Sequence, residues 1–201
     1  GEIIRRRAME GFKAIRTAGA VIPSLSLNLM DVELKSLSGP SDLIDQLNVF
    51  GLSPKDIEIE VTEDVVLGHL GNKLERQLLE LRSAGFRLAL DDFGTGFATL
   101  EHLVKLEVDI IKLDRTFVAK IKKDDRSFQI INAIIKLAHG LSARVVAEGI
   151  ETDEQLEILK NLSCDIGQGF LLARPMPVKE FLVWHRHYTK SIARKVLDFT
   201  C

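Results

Sequence analysis

The stretch Arg87-Leu88-Ala89-Leu90-Asp91-Asp92 places two adjacent carboxylates at the end of a short apolar run, and Phe93-Gly94-Thr95-Gly96 follows directly. The apolar run is typical of a buried strand in a parallel sheet. A buried acid is costly unless it is paired or bound to a metal. Neighbouring residues on a strand point to opposite faces, and Gly94 and Gly96 supply backbone freedom that would let both acids reach one site. The stretch therefore predicts a strand with a metal site at its C-terminal end.

Short apolar runs of the same kind recur along the chain. They predict six strands, at Leu25–Asn28, Ile57–Val61, Arg87–Leu90, Asp109–Leu113, Arg144–Ala147 and Asp165–Leu172. The segments between them have helical periodicity. Ile3–Arg16 and Ser127–Leu141 are predicted as helices, the second ending at Gly140 as a left-handed cap, and Thr152 with Gln155 forms a capping box. The alternation of strands and helices indicates βαβ units and a parallel sheet.

Polar residues at the C-terminal end of nearly every predicted strand favour a closed barrel over an open doubly wound sheet. No glycine-rich phosphate loop follows any strand, as a dinucleotide-binding sheet would need. A (β/α)8 barrel has eight strands and only six are predicted here, so we expect an α/β barrel that is N-terminally incomplete, with its first strands before residue 1. The barrel domain is expected over residues 1–183, and a C-terminal helix packed on the barrel over residues 184–201.

The composition sets limits on the class of protein. Of the 201 residues, 46% are hydrophobic and 28% are charged, and the formal net charge is −2. This near balance gives no general attraction to DNA or RNA polymers. No segment has the length and apolarity of a membrane span, so no membrane contact is expected from this chain. Cys164 and Cys201 do not form a disulfide framework, which predicts a cytoplasmic protein.

The strand ends are rich in hard oxygen donors. The candidate metal ligands are Asn28, Glu60, Asp91, Asp92 and Glu148. Carboxylate and amide oxygens suit Mg²⁺ or Mn²⁺, and no pair of histidines or cysteines competes for the role. A single acid at a strand end is usually a loop cap or a salt-bridge partner, but the aspartate doublet among these neighbours favours a metal site.

Two further polar residues stand at strand ends. Lys112 is either a barrel-core lysine paired with a carboxylate or a group that orients water and neutralises charge beside the metal. Gln168 lies between Gly167 and Gly169, which permit close approach of backbone or substrate. A plain turn explains the glycines equally well, but it does not explain the glutamine. Both Lys112 and Gln168 are therefore candidate site residues.

The stretch Asp91-Asp92-Phe93-Gly94-Thr95-Gly96 resembles the signature loop of the EAL-domain cyclic-di-GMP phosphodiesterases. Further motifs follow the order of that family: Leu27-Asn28-Leu29, Glu60-Val61-Thr62-Glu63, Ile111-Lys112-Leu113-Asp114, Ala147-Glu148-Gly149-Ile150-Glu151-Thr152, and Asp165-Ile166-Gly167-Gln168-Gly169-Phe170 with Arg174-Pro175. The resemblance covers the chain up to about Val183. A set of ordered motifs is far more specific than any one of them.

The resemblance implies a modified TIM barrel that hydrolyses cyclic di-GMP to linear pGpG with two Mg²⁺ or Mn²⁺ ions. The implied metal ligands are the five candidates named above, with Glu148 also counted among the catalytic residues. By the same resemblance Lys112 lies beside the attacking water, Gln168 and Asp114 bind the substrate, and Glu63 steadies the mobile loop after Asp92. That loop, Phe93–Leu100, is tied to homodimer formation in the family. Members are often fused to sensor or diguanylate cyclase domains.

One departure from the family pattern affects the expected activity. No Glu-Ala-Leu motif occurs in the 201 residues, although its glutamate is a metal ligand in active members. A catalytically silent cyclic-di-GMP-binding module is therefore the alternative function. A third possibility, another magnesium-dependent barrel enzyme with Lys112 as the base, would need single acids on successive strands instead of an aspartate pair and an asparagine.

Overall fold

The computed structural model describes residues 1–63, 72–94, 100–123 and 125–197. In chain order the elements are α1 (Glu2–Thr17), β1 (Leu25–Asn28), α2 (Asp31–Ser36), α3 (Ser41–Phe50), a 3₁₀ turn (Pro54–Asp56), β2 (Ile57–Thr62), α4 (Asn72–Ser83), β3 (Arg87–Phe93), α5 (Leu100–Leu106), β4 (Ile110–Leu113), α6 (Arg115–Val118), α7 (Arg126–Gly140), β5 (Arg144–Ala147), α8 (Asp153–Asn161), β6 (Ile166–Gly167) and α9 (Val178–Leu197).

The strands form one parallel sheet in the order β1-β2-β3-β4-β5-β6, so every strand lies beside its neighbours in the sequence. This sequential order is that of an incomplete β/α barrel, as the strand pattern predicts. All strands point the same way, and their C-terminal ends therefore meet at one edge of the sheet. Side chains placed just beyond those ends are brought together there.

The two faces of the sheet have different surroundings. On the outer face, alternate strand residues such as Ile59, Leu88 and Leu90 are buried with the helices in the main hydrophobic core. On the inner face, Ala89, Ile110 and Val146 form a separate buried apolar cluster. Alternation along each strand means that the residues two positions further on share this inner face. Those residues are charged or polar.

The sixth strand is shorter than the sequence pattern predicts. Only Ile166–Gly167 of the predicted Asp165–Leu172 pairs with β5, so the prediction is wrong for the later residues. The chain turns at Gly169, whose carbonyl accepts hydrogen bonds from the backbone N–H groups of Leu172 and Ala173. Apolar periodicity does not predict where a strand ends when a glycine within the apolar run allows the backbone to turn.

The predicted left-handed cap at Gly140 is also wrong. Gly140 lies within α7, and Ser142 takes the left-handed conformation with φ of 61°. The backbone N–H of Ala143 then donates to the carbonyl of Ala138 at 2.9 Å, which is the long bond of a Schellman ending. The helix continues until this bond forms, because it satisfies a carbonyl that the last turn leaves open. The capping box of Thr152 and Gln155 is confirmed.

The C-terminal helix α9 begins at Val178 and contacts α1. The helix therefore begins six residues before the expected boundary between residues 183 and 184. The division of the chain into a barrel domain and a separate C-terminal helix stays a prediction. Three rings run along its first part: Phe181 and Trp184 have centroids 5.7 Å apart, and Trp184 stacks on Tyr188 at 4.8 Å. Within the described ranges, α9 and the other helices all lack the apolar length that crossing a bilayer requires.

Candidate functional site

Three carboxylates converge on one ammonium group at the C-terminal edge of the sheet. The Lys112 Nζ atom lies 3.0 Å from Glu60 Oε2, 2.9 Å from Asp91 Oδ1 and 2.8 Å from Glu148 Oε1. The four residues come from β2, β3, β4 and the turn after β5. We call this group the acidic cluster. All four residues are candidate site residues by sequence, but the strand pattern does not predict that Lys112 contacts three acids at once.

Strand alternation and register bring the acidic cluster together. Asp91 follows Ala89 by two positions, Lys112 follows Ile110, and Glu148 follows Val146. Each charged residue thus lies directly beyond a member of the inner apolar cluster, on the same face. Glu60 is the register partner of Ala89 on the next strand. The apolar cluster supports the charged cluster from below and limits access of water to it.

Burial and charge shape the ionisation of the acidic cluster. The Lys112 and Glu60 side chains are each 9% exposed. Burial alone would lower the pKa of Lys112, but its hydrogen bonds to Glu148, Asp91 and Glu60, with their negative charges, raise that pKa well above its usual range. Burial raises the pKa of Glu148, and the charges of Asp91 and Glu60 add to the rise while Lys112 opposes it. The three carboxylates therefore hold Lys112 in its charged form.

Asp92 and Asn28 lie at the same edge of the sheet. Asp92 has a positive φ of 56°, and the register between β3 and β4 shifts between Leu90 and Phe93. The bend predicted from the glycines thus begins at Asp92 itself. Burial raises the pKa of Asp92, as do the charges of Asp91 and Asp114. Asn28 is the register partner of Glu60, which places it beside the acidic cluster on the adjacent strand.

Glu63 holds the start of the loop that follows Asp92. Its side chain is buried, and its Oε1 atom accepts a hydrogen bond from the backbone N–H of Gly94 at 2.8 Å. Gly94 has φ of 95°, and a Cβ atom there would lie 2.7 Å from the Phe117 ring. The loop therefore starts from a fixed backbone position. Residues 95–99, on which the expected dimer contact depends, lie outside the described residues.

A cavity of about 400 Å³ opens beside the acidic cluster. Its lining includes Glu148 and Gln168 from the predicted site, together with Arg115, Gly149, Glu151, Phe170 and Arg174. The Arg174 guanidinium carbon lies 4.5 Å from the centroid of the Phe170 ring, which forms a flat cationic surface. The size and polarity of this cavity suit part of a phosphorylated, aromatic ligand.

Asp114, which the family resemblance assigns to substrate binding, and its neighbour Arg115 occupy different positions after β4, and the substrate-binding role of Asp114 stays a prediction. The Asp114 carboxylate caps α6 by accepting from the Thr116 backbone N–H at 2.9 Å, and it is not among the cavity-lining residues of the described chain. Arg115, which the sequence analysis passed over, lines the cavity. The only sequence signal for Arg115 is its place directly after the motif that ends at Asp114, whereas Arg174 belongs to the Arg174-Pro175 pair of the family resemblance.

The donor set of the site fits a hard divalent cation. Glu60, Asp91 and Glu148 point oxygens at a common centre, and Asn28 and Asp92 add oxygen donors at the same edge. Oxygen-only donors are the preference of Mg²⁺ and Mn²⁺. Nowhere in the described ranges do three acidic, histidine or cysteine side chains already have the geometry that holds an ion. The Lys112 ammonium group is what lies at the centre of the three acids instead.

A parallel β/α sheet with carboxylates gathered at its strand ends places the chain among the β/α-barrel proteins with an acidic site at the strand ends. Within that class, the family model of the EAL domain matches residues 1–175. The chain therefore belongs to the EAL domain family, which confirms the family suggested by the motifs.

Known proteins resemble the chain in sequence and in structure. The cyclic di-GMP phosphodiesterase RocR of Pseudomonas aeruginosa is 40% identical over 159 residues, which are 79% of this chain and 40% of RocR. The EAL domain of Mycobacterium smegmatis DcpA has a TM-score of 0.83 at 32% identity, covering 92% of this chain and 82% of the DcpA chain. Klebsiella pneumoniae BlrP1, in a complex with manganese and cyclic di-GMP, has a TM-score of 0.75 at 32% identity over 85% of this chain and 42% of BlrP1.

These matches confirm the expected fold, an incomplete TIM-like barrel. The chain spans about a fifth to two fifths of the length of curated relatives such as RocR, the oxygen sensor protein DosP of Escherichia coli and similar signalling proteins. What those whole proteins do comes to this chain only as a proposal.

Proposed function

We propose that this domain hydrolyses cyclic di-GMP to linear pGpG with two bound divalent ions. The observation that carries the proposal is the convergence of Glu60, Asp91 and Glu148 on one point beside a cavity whose lining includes two arginines, Arg115 and Arg174. A phosphodiester needs its negative charge neutralised and a water activated next to it. Oxygen ligands, and a cavity with two arginines and one aromatic ring at the same edge of the sheet, supply the protein's part of both requirements.

Each site residue has a distinct task in this proposal. Asn28, Glu60, Asp91, Asp92 and Glu148 would hold the ions, which are Mg²⁺ or Mn²⁺ by donor chemistry. When bound, the ions would supply an activated water and Lewis-acid stabilisation of the phosphoryl oxygens. Lys112 donates hydrogen bonds beside that water and neutralises charge on the phosphate. Gln168 and the cavity hold the nucleotide, and Glu63 fixes the loop that follows Asp92.

Named relatives support the choice of substrate and of metal. RocR is described as a cyclic di-GMP phosphodiesterase, and BlrP1 binds cyclic di-GMP together with manganese. A homodimer formed through the loop after Asp92 and fusion to sensor or diguanylate cyclase domains are proposed on the family resemblance. The cytoplasmic location expected from the cysteine content stays a proposal as well.

A binding module without turnover is the second candidate function. What distinguishes it from the enzyme is whether the protein carries the glutamate of the Glu-Ala-Leu motif, which the 201 residues do not contain. Hydrolysis is therefore proposed for the protein in a form that carries that glutamate. The third possibility, Lys112 as a base, is disfavoured because the three acids hold its ammonium group in the charged form, which has no lone pair to accept a proton.

The deciding experiment measures binding and turnover together. The full-length protein is mixed with cyclic di-GMP in Mg²⁺, in Mn²⁺ and in EDTA, and the products are separated by chromatography. Formation of pGpG that requires the metal supports hydrolysis. Tight binding of cyclic di-GMP with no product, in a protein that carries the Glu-Ala-Leu glutamate, supports the binding module and overturns the enzyme. The Glu148→Gln variant should bind the nucleotide and form at least ~100-fold less product.

A further inference from the structure

The Lys112 ammonium group lies at the centre of three carboxylates that the proposed function assigns to divalent ions. An ammonium group has three N–H donors, and Lys112 directs them at three carboxylates at 2.8–3.0 Å. Its hydrogen-bonding capacity is thus fully used by residues that are themselves the proposed metal ligands. A lysine that only oriented a water in the metal-free protein would keep one donor free for it.

The three carboxylates need a cation even when no metal is bound. Each of the three oxygens lies within 3.0 Å of the same nitrogen, so any two of them are less than about 6 Å apart. Like charges at this distance in a poorly hydrated site repel strongly. Lys112 is 9% exposed and supplies the only charge among these four residues that offsets the repulsion. It therefore preserves the arrangement of the ligands before the metal arrives.

A divalent ion and the ammonium group compete for the same oxygens. Mg²⁺ binds oxygen at about 2.0–2.1 Å and needs its ligands drawn in around it, whereas an ammonium group holds them near 3 Å. Consistent with this, the described part of the chain contains no group of three acidic, histidine or cysteine side chains already arranged to hold an ion. The three carboxylates lie close together, but the atom that they surround is Lys112 Nζ.

We propose that Lys112 is an internal cation that holds the metal ligands in the metal-free protein and must leave their centre when a divalent ion binds. This inference rests on the proposed function, since it takes Glu60, Asp91 and Glu148 as metal ligands. The long flexible stem lets the ammonium group swing while its backbone stays in β4. The released group stays within reach of Glu148, whose side chain contacts Lys112 at 2.8 Å and also lines the cavity. Binding of the metal would then also free the N–H groups of Lys112 to interact with the substrate.

The test compares metal affinity in the parent and in Lys112→Met, which removes the charge and keeps most of the stem. Mn²⁺ binding is measured from the paramagnetic resonance signal of free Mn²⁺. We expect Lys112→Met to bind Mn²⁺ at least ~10-fold more tightly than the parent, because no internal cation has to leave. In EDTA the same variant should melt at a lower temperature than the parent. Arg144→Met, which removes a cation at the opposite end of the same sheet face, should leave the Mn²⁺ affinity unchanged.

Equal or weaker Mn²⁺ binding by Lys112→Met would overturn the internal-cation proposal. A parent that binds no Mn²⁺ would overturn the proposed function instead, so the two failures are distinguishable. A Lys112→Met variant that folds only when Mn²⁺ is present would support the proposal. The three carboxylates would then need a cation between them, either the Lys112 ammonium group or a divalent ion.

A measurement on the parent does not depend on the folding of that variant. Lysine side-chain nitrogens are observed by ¹H–¹⁵N magnetic resonance, and the Lys112 signal is assigned by its loss in Lys112→Arg. Saturation with diamagnetic Mg²⁺ should shift or broaden the Lys112 signal, because its three carboxylate partners are withdrawn. A Lys112 signal that stays at the same position through saturation would show that the ammonium group does not move, and the proposal would be wrong.

Discussion

Two clusters of charged side chains lie on the same inner face of the sheet, one at each end of the strands. One has an excess of negative charge and the other an excess of positive charge. The acidic cluster has three carboxylates and one ammonium group. At the N-terminal end, Glu58 Oε1 lies 3.2 Å from Arg87 Nε and 3.7 Å from Arg144 Nη2. We call these three residues the basic cluster, since it has two guanidinium groups and one carboxylate.

The same strands supply both clusters. Glu58 and Glu60 are two residues apart on β2, and Arg87 and Asp91 are both on β3. Period-two alternation keeps all of them on one face, so position along the strand alone separates the two ends. In the basic cluster, Glu58 also accepts hydrogen bonds from two serine hydroxyl groups, Ser24 at 2.7 Å and Ser26 at 3.2 Å. We expect the basic cluster to act in stability, and the surplus of acid at the other end suits added cations.

The largest expected difference between the clusters is in catalysis. Glu60→Gln should reduce hydrolysis of cyclic di-GMP by more than ~100-fold, because it removes a proposed metal ligand and not merely a group that supports one. Glu58→Gln is the matched control, with the same substitution on the same strand and face, and its turnover should stay within ~3-fold of the parent. The measurement is the initial rate in saturating Mn²⁺. Undiminished turnover in Glu60→Gln would remove Glu60 from the metal site.

For stability we expect the opposite ranking: Glu58→Gln should lower the free energy of unfolding more than Glu60→Gln does. Glu58→Gln leaves Arg87 and Arg144 facing a neutral amide, and two Arg87 nitrogens already have no hydrogen-bond partner among the described residues. We expect it to lower the free energy of unfolding by about 1–2 kcal/mol. Glu60→Gln loses an ion pair with Lys112 but also one of three repelling acids, so its change should be below ~1 kcal/mol. Urea unfolding in EDTA measures both.

Equal losses of stability in the two variants would contradict the comparison, because the two clusters would then contribute alike to the fold. A larger loss in Glu60→Gln would show that Lys112 needs all three carboxylates for stability, and the surplus of acid would not be a surplus in the metal-free protein.

The acidic cluster was largely predictable from the sequence, and the basic cluster was not. An acid directly after an apolar run, as at Asp91, is unusual and therefore easy to notice in the sequence. In a parallel β/α barrel such a residue lies at the C-terminal end of its strand, where the active sites of these barrels are found. A charged residue at the start of a strand, as at Arg87 or Arg144, is ordinary, so nothing in the pattern distinguishes it. The partner of each side chain depends on the register and curvature of the sheet, which alternation does not specify. The threefold pairing of Lys112 was missed for that reason.

Local backbone geometry was the other part that the sequence left undetermined. Glycines predict where left-handed residues are easy, yet Asp92 and Ser142 take that conformation without being glycine. At Ser142 the hydrogen bonds of the helix end decide the conformation, and at Asp92 the shift of register between β3 and β4 accompanies it. Tertiary constraints of this kind outweigh the intrinsic cost of a left-handed residue, which is small for aspartate.

A moderate effect is expected just outside the acidic cluster, at Glu63. Glu63→Ala leaves the Gly94 N–H without its acceptor, so the loop after Asp92 loses its anchor and turnover should fall about 10-fold. The free energy of unfolding should change little, because the second carboxylate oxygen is buried with no partner among the described residues and its removal relieves a desolvation cost. Glu63→Gln is the matched control, since an amide oxygen can still accept from Gly94. If Glu63→Ala and Glu63→Gln had equal rates, the hydrogen bond would not be the relevant feature.

The smallest expected effect lies beside the basic cluster, at Asp165. Burial would raise the pKa of its carboxyl group, but the Val145 backbone N–H at 2.8 Å, the His139 ring at 2.9 Å and the charge of Arg144 together lower that pKa below its usual value. A lowered pKa in the folded protein means that the ionised form stabilises the fold above the unfolded pKa of about 3.9. That contribution is lost as the pH falls through the lower, folded value.

Asp165→Asn should therefore reduce the free energy of unfolding at pH 6, by less than ~1 kcal/mol because the pair is partly exposed to solvent, and the difference from the parent should shrink towards pH 3. Asp109→Asn is the matched control: Asp109 accepts from the Leu88 N–H at 2.9 Å in the same way, and its charged partner is Arg82 at 3.4 Å instead of a histidine. Urea unfolding at the two pH values gives the comparison. A difference between Asp165→Asn and the parent that is the same at pH 6 and pH 3 would mean that Asp165 acts through its hydrogen bonds alone, and that the surplus positive charge of the basic cluster does not reach it.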